Sequence, residues 1–166
     1  MKHLLILMLL ASLMTPLRSA PALPLAAPGL SAHLLTGGEL TIAQMGKPIS
    51  AALKSKLLNA FKAQFGSKAK VESIELIPFH NAMWLVFQSG ERGTQTIALK
   101  LDEKKGAYVL NASTTEVNTC TGNPCSYCKF SESVGCYCNQ GGGSSSCNHT
   151  VTSLSQMDRF MAVLEL

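Results

Sequence analysis

All six cysteines of this 166-residue chain lie between Cys120 and Cys147, in a stretch whose bulky apolar side chains are Tyr127, Phe130, Val134 and Tyr137. Burying each contributes about 1.5–3 kcal/mol, whereas fixing the backbone costs about 1–2 kcal/mol for every residue of the stretch. Apolar burial alone cannot order such a segment. If it has a defined shape, covalent or metal links supply the difference.

The other end of the chain indicates which links are available. Lys2 and His3 precede an apolar run from Leu4 to Met14, the length of a signal h-region and too short to span a bilayer. Thr15, Pro16, Arg18 and Ser19 break it, and Ala20-Pro21-Ala22 offers a small-x-small cleavage pattern. Residues 1–22 are therefore expected to be a signal peptide cut after Ala22, with export to a periplasmic or extracellular compartment. No membrane span is expected after cleavage, since no other apolar run approaches the necessary length.

In an oxidising compartment an even, clustered cysteine count predicts disulfides through Cys120, Cys125, Cys128, Cys136, Cys138 and Cys147. Six cysteines allow fifteen pairings, and spacing removes only those joining Cys136 to Cys138, whose ring would be strained. The alternative is zinc. Cys125-x-x-Cys128, Cys136-x-Cys138 and Cys147-x-His149 are three close ligand pairs, with Cys125, Cys128, Cys147 and His149 as the tetrad. A thiol-disulfide redox pair at Cys125 and Cys128 is a further alternative, but no βαβ pattern surrounds it. A plant-type iron–sulfur spacing, Cys120-x4-Cys125-x2-Cys128 with Cys147, leaves Cys136 and Cys138 unexplained.

Between these ends, residues 23–37 are a Pro- and Ala-rich leader, and residues 38–111 carry the patterning of a small α+β domain. Leu40 and Ile42 alternate with Thr41 in a first strand over 38–45. Pro48 stands at a first helical position, and Ile49, Leu53, Leu57, Phe61 and Phe65, joined by Leu58, recur at helical spacing up to Gly66 as C-cap. Strands are expected at 72–79, 83–88, 94–101 and 107–110, separated by turn residues that include Pro78, Asn81, Gly90, Gly93 and Gly106. Ile97, Leu99 and Leu101 alternate with Thr96, Ala98 and Lys100, which predicts one buried face and one wet face.

The fold expected is α+β: one amphipathic helix on a four- to five-stranded antiparallel meander, then a small disulfide-rich loop module, then a C-terminal helix. The core is expected to end at Asn111, with the cysteine-rich module at 112–150. Leu154, Met157, Phe160, Met161 and Leu164 form the inward face of a helix in 151–166 that packs back on the core, with Ser153 or Ser155 as its cap. The order strand, helix, strands is similar to that of cystatin-like and PepSY-like domains. That likeness implies topology only, because the first hairpin reads Pro78-Phe79-His80-Asn81-Ala82 and Trp84 sits inside a strand, not in a hairpin that would enter a protease cleft.

Chemistry-bearing residues are few. The formal charge of +4 is interleaved with acids, so no nucleic-acid partner is implied. After signal cleavage His33, His80 and His149 are the histidines that remain, and neither a Gly-x-Ser-x-Gly elbow nor a His-Glu-x-x-His helix is present. His80 reads as a turn residue and Trp84 as core. Gly141-Gly142-Gly143 lacks the Lys of a phosphate loop, and Asn111-Ala112-Ser113 and Asn148-His149-Thr150 are glycosylation sequons that matter only in a eukaryotic host. The reading that results is a non-enzymatic exported binding or structural module without a cofactor, whose ligand class is open to a protein at the cell surface or outside the cell.

Overall fold

A computed structural model of the chain describes residues 38–89, 95–123, 125, 128–130, 135–138 and 146–166. The expected signal peptide and the 23–37 leader lie outside the described residues. The architecture is an antiparallel sheet with helices on one face and a disulfide-bonded hairpin on the other.

Strand β1 (Glu39–Gln44) leads to helix α1 (Ala51–Phe65). The helix starts at Ala51, three residues beyond Pro48. Ser50 is its N-cap, and its Oγ accepts a hydrogen bond from the Leu53 N–H at 3.2 Å, satisfying a donor that has no partner within the helix. Replacing Ser50 by Ala is expected to cost about 0.5–2 kcal/mol, read from the urea midpoint. Gly66 ends the helix as expected, with φ of 105°, a conformation that favours glycine, and its N–H donates to the Lys62 carbonyl.

The meander follows as β2 (Val71–Phe79), β3 (Ala82–Ser89), β4 (Thr96–Lys104) and β5 (Ala107–Asn111). His80 and Asn81 form a two-residue β2–β3 turn, both with positive φ, as the mirror-image hairpin turns require. β4 is long enough to have two neighbours on its far edge. Its second half pairs with β5, which pairs with β1, while its first half pairs with β6 (Glu116–Asn123), which pairs with β9 (Ser146–Ser153). The sheet thus forks beyond β4.

The helix-side core contains Leu57, Phe61, Leu85, Phe87, Ile97, Leu99, Leu110 and Val117. It runs past Asn111, contrary to the sequence reading, because β6 lies beside β4 and sends Val117 inward at 1% exposure. Phe87 stacks on Phe61 with centroids 5.4 Å apart and meets the edge of Phe160 at 5.9 Å. The C-terminal segment is a 3-10 turn over Leu154–Gln156 followed by α2 (Asp158–Leu164), and all five of its expected inward residues are buried. Ser153 stands at the N-cap of the 3-10 turn, as expected, and its N–H donates to Gln156 Oε1 at 3.4 Å, but neither Ser153 nor Ser155 caps α2. Gln64 of α1 does this across the helix pair, its Oε1 accepting from the Phe160 N–H at 3.2 Å.

The second face of β4 is not wet as its alternation suggests. Thr96 and Ala98 are both fully buried, and only Lys100 of the three is exposed. Trp84, Val86, Ala98 and Cys120 form a second apolar layer with Cys125, Cys128 and Phe130 above it. Trp84 is 5% exposed, and its Nε1 is buried with no hydrogen-bond partner among the described residues.

Candidate functional site

The layer over this second face is built from the cysteine segment. β7 (Cys128–Phe130) and β8 (Cys136–Cys138) form a short antiparallel hairpin that sets Cys128 opposite Cys138 and Phe130 opposite Cys136. Three disulfides fasten it: Cys120–Cys136, Cys125–Cys138 and Cys128–Cys147, with Cα separations of 5.6, 5.8 and 5.9 Å. Two of these bridges tie the hairpin to the main sheet, one to β6 and one to β9. No cysteine is left free.

The pairing is first to fourth, second to fifth and third to sixth, so each bridge spans an end of both others. Each also joins a buried half-cystine (Cys120, Cys125, Cys128) to a half-exposed one (Cys136, Cys138, Cys147). Cys120 and Cys147 belong to the main sheet, and Cys128, Cys136 and Cys138 to the hairpin laid over it. Thr96 Oγ1 adds a hydrogen bond to the Cys128 carbonyl at 3.1 Å, holding β7 to the centre of the sheet. Gly122 is required by close approach: a Cβ there would lie 1.7 Å from the Cys125 carbonyl oxygen.

The tetrad suggested for zinc is not brought together as four free ligands. Cys125, Cys128 and Cys147 are all in bridges, and His149 Nε2 is 2.7 Å from Asn118 Oδ1. The sulfurs that do converge are those of Cys125, Cys138 and Cys147, within 4.8 Å of one another, where two bridges touch. The Cys125/Cys128 redox pair is likewise split between two bridges.

Two features escaped sequence reasoning. Asn118 is 2% exposed and donates through Nδ2 to Glu116 Oε1 at 2.7 Å while its Oδ1 meets His149, so a polar chain crosses β6 and β9 on the disulfide face. Strict alternation along β6, with Glu116, Asn118 and Cys120 on one side, is the signal that could have found it. The second is an open cleft of about 450 Å³ at the β2–β3 turn, lined by Phe79, His80, Asn81, Met83, Glu103 and Tyr108 among others. His80 is thus a turn residue at the rim of a cleft.

No protein-family model matches the chain, and no curated protein or solved structure is significantly similar to it. No helix among the described residues is long and apolar enough to cross a membrane.

Proposed function

We propose that the protein acts outside the cytoplasm as a non-enzymatic, disulfide-stabilised binding module, with the cystine-fastened face as its rigid platform. The observation that carries this reading is the use of all six cysteines in three interleaved bridges. Bridges of this kind form and persist in oxidising compartments, which agrees with the export signal read in residues 1–22. The short hairpin between the bridges has little apolar surface of its own, so cross-linking holds it rigid and lets its exposed residues, Tyr137 among them, face a partner without an ordering cost on contact.

A second reading has one observation in its favour. If the two touching bridges were reduced, Cys125, Cys138 and Cys147 would present three converging thiolates to zinc, with Cys138 rather than His149 beside the other two. One experiment separates the two readings. The secreted form, purified without chelator, is expected to begin after Ala22, to resist alkylation when denatured but unreduced, and to gain six hydrogens on reduction. It is also expected to carry no stoichiometric zinc. Alkylation of most cysteines together with bound zinc would overturn the first reading and establish the second.

A further inference from the structure

The free edges of the sheet are not treated alike. An edge strand presents unpaired N–H and C=O groups, and proteins block such edges with charge, proline, bulges or short length. β2 carries Glu72, Glu75 and Pro78, and its register shifts between Val71 and Ser73. β1 is short, bears Glu39 in an ion pair with Lys104, and shifts register between Thr41 and Ala43. The Lys104 hydrogen bond lowers the pKa of the Glu39 carboxyl, which favours its charged form on that edge.

β9 has none of these devices. Its eight residues contain no Asp, Glu, Lys, Arg or Pro, and its pairing with β6 runs without a shift from Glu116–Ser153 to Asn123–Ser146. Among the described residues no second strand pairs with its other edge over Asn148 to Ser153. Asn148, His149, Thr150 and Val151 are all exposed, and Val151 at 55% is the most exposed large apolar side chain described, although the Cys128–Cys147 bridge fastens the hairpin to one face of the strand at its start. Thr150, Val151 and Thr152 are also the residue types that favour strands.

We propose that β9 is a self-association edge, through which a second copy of this chain pairs antiparallel and joins the two sheets into one. A copy fits because the strand complements itself. A twofold pairing about Thr150 sets Thr150 against Thr150, Val151 against His149 and Thr152 against Asn148, so no like charges meet. The contact is isologous and closes at two, because each β9 is then used and β1 and β2 are blocked. A single strand pair buries little area, so the dimer is weak and concentration-dependent. The inference goes beyond the binding reading and rests on the sheet alone, so its failure would leave the export and the bridges untouched.

Sedimentation velocity on the oxidised secreted protein tests it over a concentration series. The expected result is a monomer–dimer equilibrium with Kd between about 1 µM and 1 mM. Val151→Lys places two like charges near the twofold and is expected to weaken the dimer by about tenfold or more, and Thr150→Lys to do the same. Each variant is accepted only when its mass shows three intact bridges. A strict monomer up to about 1 mM, association unchanged in both variants, or assembly beyond two copies would each overturn the proposal.

Discussion

Replacing Cys120 and Cys136 together by alanine is expected to remove about 2–5 kcal/mol of folding stability, a large share of what a domain of this size has. Cys120 is fully buried, sits opposite Thr96 in the β4–β6 pairing, and packs in the layer that holds Trp84, Val86 and Ala98. Its bridge joins the centre of the sheet to β8, so its loss both enlarges the unfolded ensemble and lets the covering hairpin lift from an apolar surface. Urea unfolding followed by Trp84 fluorescence measures this, because the indole lies beneath the hairpin. A midpoint equal to that of the parent protein would show that the bridge is decoration and that the layer holds by packing alone.

The second large effect is expected from Phe87→Ala, at about 3–5 kcal/mol. Phe87 is fully buried between Phe61 of α1 and Phe160 of α2, so one ring connects both helices to the sheet. Truncation leaves a cavity that three rigid elements cannot collapse into, and Phe87→Leu, which fills most of it, should cost much less. The two predictions act on opposite faces of the sheet, at strands β3 and β6, which lie on either side of β4. If the two losses add within about 0.5 kcal/mol in the combined variant, the faces are independent layers; a larger departure would mean that the sheet transmits strain between them.

These two faces were not equally readable in advance. The helix side was, because its signals are apolar side chains at regular spacing: Leu57 and Phe61 in α1, Ile97, Leu99 and Leu101 in β4, Phe160 and Leu164 in α2. The other side was misread at Thr96 and Ala98, since small and polar residues opposite an apolar stripe ordinarily mean solvent. Here the cover is made of cystine sulfur and Phe130, contributed by a segment with no periodicity of its own. β6 and β9 went unrecognised as sheet members for the same reason, as Glu116–Asn123 and Ser146–Ser153 carry one apolar residue each apart from cysteine. Use of all six cysteines in bridges was legible from count and compartment. Their pairing was not, because it depends on the register that places Cys147 opposite Gly122 and on the hairpin that places Cys128 opposite Cys138.

The interleaved order of the bridges has a consequence for survival under proteolysis. A single peptide-bond cut anywhere between Cys120 and Cys147 leaves at least one cystine spanning the break, so no fragment departs. A protease that nicks this region therefore produces a wounded molecule still in one piece, and only reduction following the cut would release the C-terminal helix from the sheet it covers.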